Sequence, residues 1–573
     1  MSLQLHPIGP IPEETERVAR SAFPKSNIYL RLRDELGAIY DDQTFASLYP
    51  SRGQSAFSPW RLAMITVMQF AENLSDRQAA DAVRGRIDWK YLLGLPLTDS
   101  GFDHTVLSEF RFRLIADKSE GLLLDTLLDR LRSLELIKPR GRQRTDSTHV
   151  LAAVRRLNRL ERVGETLRAV LNDIAVEAPQ WLQALATAEW YDRYSGRVEN
   201  YRLPKTDAAR EQLASTIGGD GRKLLLAIDT MGIPELAKLP AVRMLRQVWA
   251  EQYIEENGQI RWREVKEMPA PASLISSPYD SEARYSKKRE TTWVGYKVHL
   301  TETCDPETPH LITNTETTLA TVPDDNMLKT VHQSLKDHDL LPAEHLVDKG
   351  YTDARVLADN PRDYGVTIVG PVADDPSWQA RSGEGFDKSA FAVDWDQQIV
   401  TCPGDKQSIS WLPNTYPKNG AVFEARFSAK DCTPCSLRPK CTKAKREPRI
   451  IGLQSRQHHE TLQTARQHQT TEDFKQSYAA RAGIEGTHEQ AIRRCGLRRC
   501  RYIGIAKTRL QHVATAVAIN LVRMDAWWTS TPRAKTRCSH FEGRCCTDTA
   551  RSGVWAGGGG RRLVREATER VSF

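Results

Sequence analysis

The sequence predicts an α/β protein, a mixed sheet flanked by helices and preceded by an all-α N-terminal region. Three observations carry that reading. Residues from about 15 to 135 keep apolar residues near helical spacing. Short β-branched runs then recur at 144–150, 293–300, 310–317, 344–348 and 366–371. Their order, a hairpin first and then alternation with helices, favours a mixed sheet over an all-parallel one.

In the N-terminal region, residues 1–14 are Pro-rich and read as irregular. Ser58-Pro59-Trp60 opens a helix carrying Leu62, Ile65, Met68 and Phe70, and proline suits a first helical turn. Ser75 and Gln78 have the spacing of a capping box ahead of Ala79, Ala80 and Val83. Two helices across a short turn make a helix-turn-helix pattern, to which Arg77, Arg84, Arg86 and Lys90 add a basic surface. A helical bundle with no role in DNA binding fits the same pattern. The region is assigned to residues 1–135.

A second domain is assigned to residues 136–526, with two insertions. The first, 151–285, returns to helical period, with Leu157, Leu160, Val163, Leu167, Val170, Leu171 and Ile174 on one face. The second, 372–470, is rich in Asp, Ser, Pro and Lys and holds four of the ten cysteines. Residues 471–526 read as helical. Residues 527–573, with Gly557–Gly560 and no period, read as a disordered tail.

Composition narrows the function classes. Hydrophobic content of 40% and charged content of 27% belong to a globular chain of 573 residues. Lys and Arg number 81 against 73 Asp and Glu. The excess concentrates near 441–449, 493–509 and 533–566, as expected for a polyanion partner. The longest apolar run, Val513–Val522, is too short to span a bilayer. No secretory signal is read at the start, so the expected location is cytoplasmic, at the nucleoid when DNA is bound.

Three carboxylates stand out. Asp146 falls inside the first strand, Asp348 ends a later one, and Glu485 lies on a late helix with Tyr478 and Arg481 at helical spacing on the same face. Singly, such residues are ordinary turn, cap or surface groups. Brought together, they suit two hard divalent cations about 3.5–4 Å apart that clamp a phosphodiester. His149 points to the other face of its strand and reads as a structural or supporting group.

Four segments, Arg144–Val150, Trp293–Leu300, Val347–Tyr351 and Tyr478–Glu485, resemble in sequence and order the DDE transposases of bacterial insertion sequences. The resemblance spans roughly residues 40–525. It implies a ribonuclease H-like catalytic core interrupted by insertions. It also implies that Asp146, Asp348 and Glu485 are catalytic residues that bind two Mg²⁺ or Mn²⁺ ions. Tyr478, Arg481, Arg493, Arg498, Arg499 and Lys507 are the implied DNA contacts. The family's helix signature ends on a lysine seven residues past the glutamate, where this chain has Ile492.

The implied activity is binding of element ends, cleavage, and transfer of 3′-hydroxyl ends into target DNA. The implied partners are the terminal inverted repeats, target DNA and a second copy of the chain during synapsis. Two alternatives stay open: a catalytically inactive DNA-binding descendant of a transposase, and a metal-dependent DNA nuclease. Ten cysteines in a chain of this length do not make a disulfide scaffold. Cys432-x-x-Cys435 with Cys441, and Cys402 in a Cys-Pro-Gly turn, have the layout of a four-thiolate structural zinc site. Four unlinked thiols are the other reading.

Overall fold

The computed structural model describes residues 2–532 except 6, 231–233, 257 and 417–419, and leaves undescribed the side chains of 415, 416 and 420–422. The chain forms two compact units, Met1–Asp525 and Ala526–Phe573. The second is described only to residue 532 and comprises the end of a helix and a turn. Most of the segment expected to be a disordered tail lies outside the described residues. Among the described residues, no helix is long and apolar enough to cross a membrane.

The N-terminal region is helical throughout. Helix Pro59–Ala71 starts on the expected proline and is buried on nearly every side. Helix Asp76–Gly85 carries the Ser75–Gln78 capping box, with both reciprocal hydrogen bonds made. The basic surface expected on this pair is much reduced. Lys90 is buried, and its Nζ donates to the carbonyls of Leu97 (2.9 Å) and Asp99 (2.6 Å). Arg86 pairs with Glu72 and Asp88, leaving Arg77 and Arg84 exposed. The turn joining the two helices is held by two arginines from the late part of the chain. Arg494 Nε donates to the carbonyl of Ala71 (3.0 Å), and Arg501 Nη1 to that of Leu74 (2.8 Å).

Strand β1 (Arg142–Leu151) leaves the helical region and enters the main sheet. The first insertion follows. Leu160, Val163, Leu167, Val170 and Ile174 of helix Arg159–Glu177 pack against Leu224, Val242, Leu245, Val248 and Trp249. A small ribbon, β2 (Tyr253–Glu256) with β3 (Gln259–Trp262), extends it. The chain then returns through β4 (Arg284–Lys288), β5 (Thr291–Thr303), β6 (Ile312–Leu319), β7 (Glu344–Val347) and β8 (Thr367–Val369). The six-stranded sheet runs β4-β5-β1-β7-β8, with β6 also paired to β5. β5 lies antiparallel to β1, β4 and β6, whereas β7 lies parallel to β1 and β8 parallel to β7. The sheet is therefore mixed and flanked by helices, consistent with a ribonuclease H-like domain. Strand β4 was not foreseen in the sequence. Its Lys- and Arg-rich text has no apolar alternation because it is an edge strand.

The second insertion has more order than its composition suggests. Strands β9 (Ala392–Asp394) and β10 (Ile399–Thr401) form one hairpin, and β11 (Ser410–Tyr416), β12 (Gly420–Arg426) and β13 (Ile450–Leu453) form a three-stranded sheet. Phe391, Val400, Ala425, Phe427, Ile451 and Leu453 make a small core of their own.

Candidate active site

The sheet register brings the first two carboxylates together. Thr145 of β1 pairs with Val347 of the parallel strand β7. Asp146 and Asp348 are the next residues on each strand, so they project side by side. β7 ends at this point, and Asp348 accepts the Gly350 N–H in the turn that follows. The Ser147 N–H donates to Asp146 Oδ1 (2.8 Å).

The third carboxylate arrives on helix Gly483–Cys495. The helical stretch expected over 471–526 is in fact broken on both sides of this helix. A 3₁₀ turn, Ala480–Ala482, separates helix Glu472–Ala479 from the helix of Glu485. Gly496, with φ of 68° and ψ of 30°, terminates that helix in the left-handed conformation that favours glycine. The 3₁₀ turn passes directly over Arg144, and a Cβ on Gly483 would lie 2.1 Å from its Nη1. Glycine at 483 therefore lets the helix start sit close against β1.

One guanidinium holds all three carboxylates. Arg481 Nη2 lies 2.5 Å from Asp146 Oδ2 and 3.8 Å from Asp348 Oδ2, and Nη1 lies 3.2 Å from Glu485 Oε1. Asp146 is largely buried. That burial pushes its carboxyl up to about 6, although Arg481 and the Ser147 N–H favour the charged form. Glu485 remains 71% exposed and reaches the cluster from the solvent side. Because the carboxylates gather round Arg481, they are not closed on one another. Among the described residues, no group of three or more His, Cys, Asp or Glu side chains is drawn tightly enough to hold a metal ion.

A buried charge network missing from the sequence reading sets the helix in place. Glu302 of β5 is fully buried. It accepts from Arg144 Nη2 (2.6 Å), Arg523 Nη1 (2.5 Å) and Thr487 Oγ1 (2.6 Å), the last on the Glu485 helix. Arg144 also donates to the Ala480 carbonyl in the 3₁₀ turn. The available signal was a glutamate inside an otherwise buried strand, where an ion needs a partner.

The implied DNA contacts disperse. Tyr478 is half-buried and stacks on Phe474, with ring centroids 5.5 Å apart. Arg493 turns back to pair with Glu489. Arg498 and Arg499 lie beyond the helix, in a stretch that pairs with the end of β1. The Leu151 N–H donates to the Arg498 carbonyl (2.8 Å), and Cys500 N–H to that of Leu151 (2.9 Å). Arg498 Nε reaches Thr148 Oγ1 at 3.3 Å. Lys507 instead lines a groove with Ser108, Arg111, Phe112 and Tyr502. His149 packs on Trp293, ring centroids 5.4 Å apart.

Two family models match the chain. One, described as Transposase DDE domain, covers residues 401–525, which include Glu485 and its helix. The other, described as Transposase domain (DUF772), covers residues 18–113 of the helical region. Both matches support a DDE transposase of insertion-sequence type. Transposases act on DNA, which supports DNA as the partner. No curated protein matches it. Neither family match reaches Asp146 or Asp348, whose convergence on Arg481 and Glu485 rests on the sheet register and the ion pairs.

The four insert cysteines line one small cavity together with Phe391, Phe427 and Leu437. Burial raises the Cys441 thiol, Arg449 opposes this, and the other three thiols add to the rise.

Proposed function

We propose that this transposase cleaves and joins DNA at the ends of an insertion sequence, with Asp146, Asp348 and Glu485 as its catalytic carboxylates. The observation that supports this most directly is the meeting of these three residues, from two adjacent strands and a separate helix, on the single cation of Arg481. The guanidinium stands in for positive charge that the site requires. An all-oxygen set of this kind fits hard divalent ions, Mg²⁺ or Mn²⁺, and Asp146, Asp348 and Glu485 would hold two of them. When bound, such ions polarise the phosphodiester and acidify a water or hydroxyl nucleophile.

The chain's own residues supply position and charge. β1 and β7 fix the spacing of Asp146 and Asp348. Glu302, Arg144, Thr487 and Arg523 fix the angle from which Glu485 approaches. Arg498 and Arg499, on the stretch paired to β1, and Tyr478, beside the 3₁₀ turn, are the residues proposed to meet DNA near the site. The terminal inverted repeats, the target DNA and a dimeric synaptic assembly belong to the same proposal, as does a structural zinc held by Cys402, Cys432, Cys435 and Cys441. So does the division into a DNA-binding region, 1–135, and a catalytic region, 136–526.

The test is a cleavage and strand-transfer assay on duplexes carrying the sequences that flank the gene, with and without Mg²⁺. Asp146→Asn, Asp348→Asn and Glu485→Gln should each reduce cleavage to background and leave duplex binding intact. Cleavage at the wild-type rate in any of the three removes that residue from the site. Binding without cleavage by the wild-type chain favours the inactive descendant, and cleavage without joining favours a nuclease.

A further inference from the structure

The helix signature lacks its terminal cation, because position 492 is isoleucine. The structure offers positive charge from a different direction. The hairpin from β4 into β5 carries Lys287, Lys288 and Arg289 in succession, all exposed. Lys288 is the last residue of β4 and pairs in register with Thr291. Its Nζ lies 3.8 Å from Asp324 Oδ2.

Asp324 does not need Lys288. Lys297 already neutralises it at 2.9 Å from a position only 13% exposed. The Ser147 hydroxyl donates to its other oxygen (3.1 Å). Two lysines against one carboxylate leave one positive charge in surplus, and Lys288, 58% exposed, is the one at the surface. Asp324 is also close to the Asp348 turn, since a Cβ built on Gly350 would lie 3.8 Å from Asp324 Oδ2 and 3.0 Å from Asp348 Oδ1. The surplus charge thus stands beside Asp324 at the edge of the acidic centre, and Asp324 is bonded to Ser147, the residue after Asp146.

Arg498 stands on the stretch that pairs with the end of β1. It is exposed, and among the described residues its guanidinium has no carboxylate partner, only the Thr148 hydroxyl. Burial lowers the His149 imidazole, and the positive charges of Arg498 and Lys288 lower it further. Two cations from separate elements therefore flank the same stretch of β1.

We infer that Lys288, acting with Arg498, grips the phosphodiester backbone of the DNA strand entering the acidic centre, supplying from the β4–β5 hairpin the charge absent at position 492. The inference rests on the transposase reading. The competing account is that the hairpin lysines only keep an edge strand from pairing with another chain.

Salt dependence separates the two. A short fluorescent duplex of arbitrary sequence is titrated with the full chain over a range of salt, without divalent metal. Losing one phosphate contact lowers the slope of log affinity against log salt by about 0.9, which is about fivefold in affinity near 0.15 M salt. Lys288→Gln and Arg498→Gln should each show that loss, and the double variant should lose about twice the slope. Lys288→Arg should keep the wild-type slope and guards against a folding artefact. A wild-type slope in Lys288→Gln overturns the inference and leaves the edge-strand account. No salt-dependent binding by the wild-type chain would instead overturn the DNA-acting reading on which the inference rests.

Discussion

Replacing Glu302 with glutamine should loosen the Glu485 helix from the sheet. The side chain keeps its size but loses its charge. Arg144, 5% exposed, and Arg523, 16% exposed, then face a neutral amide in a dry interior. Breaking a buried ion pair from one side costs about 3–5 kcal/mol. Partial solvation of Arg523 puts the expectation at the lower end, about 3 kcal/mol. If the loss appears as local opening of helix Gly483–Cys495, the open population rises roughly 100-fold, at about 1.4 kcal/mol per decade. Amide hydrogen exchange across that helix, compared with helix Pro59–Ala71 as an internal reference, reads this directly. Arg523→Met keeps the Arg144–Glu302 pair, so its cost should be smaller, about 1.5–3 kcal/mol for a charge-assisted bond. The pH dependence follows from the same contacts. Burial alone would raise the Glu302 carboxyl, but Arg523 and Arg144 outweigh it and hold it below its usual range. A depressed carboxyl stabilises the fold above its unfolded value of about 4.3, and that contribution is lost as pH falls through the lower folded value. The gap between wild type and Glu302→Gln should therefore close in acid. Equal exchange in the two proteins at neutral pH would refute the role given to this network.

Arg481→Ala should lower the melting temperature in chelator, since three carboxylates then face one another with no cation between them, and added Mg²⁺ should restore most of the loss. An unchanged melting temperature in chelator would mean that the guanidinium is not what stabilises the cluster. Gly483→Ala adds a Cβ that meets Arg144 Nη1 at 2.1 Å. The overpacking should cost about 1–3 kcal/mol, and a wild-type melting curve would count against close contact between the 3₁₀ turn and β1. Purified protein should carry about one zinc per chain by elemental analysis if four thiolates close on one ion. Cys435→Ser with Cys441→Ser should remove it and speed proteolysis within the insertion. Metal-free wild-type protein with unchanged protease resistance would dispose of the zinc proposal.

The fold was legible where the sequence alternates. Trp293–Leu300 lies inside β5, and the strand read at 344–348 is β7 over Glu344–Val347. The carboxylate positions were legible because a strand end and a helix motif mark them. Three things were hidden, for three physical reasons. β4 sits at an edge, so nothing forces one of its faces to be apolar. The break at Ala480–Ala482 is where the Ala480 carbonyl accepts from Arg144, a residue more than three hundred positions earlier. The Glu302 network pairs residues on β1, β5 and two late helices, and no local pattern connects them. The charges of Arg86 and Lys90 were visible, but their burial and partners were set by the tertiary packing.

The turn between helices Pro59–Ala71 and Asp76–Gly85 is pinned at two of its carbonyls. Arg494, at the end of the Glu485 helix, and Arg501, on the stretch that follows, fasten onto its carbonyls at Ala71 and Leu74. The helical region therefore rides with the Glu485 helix as one piece and does not hang from a tether. A shift of that helix pair on a duplex would be delivered to the carboxyl-terminal end of the helix that carries Glu485, about two and a half turns from the acidic centre. A chain cut after residue 135 would expose the two arginines and the apolar surface around them, so the catalytic half is not expected to stand alone in solution.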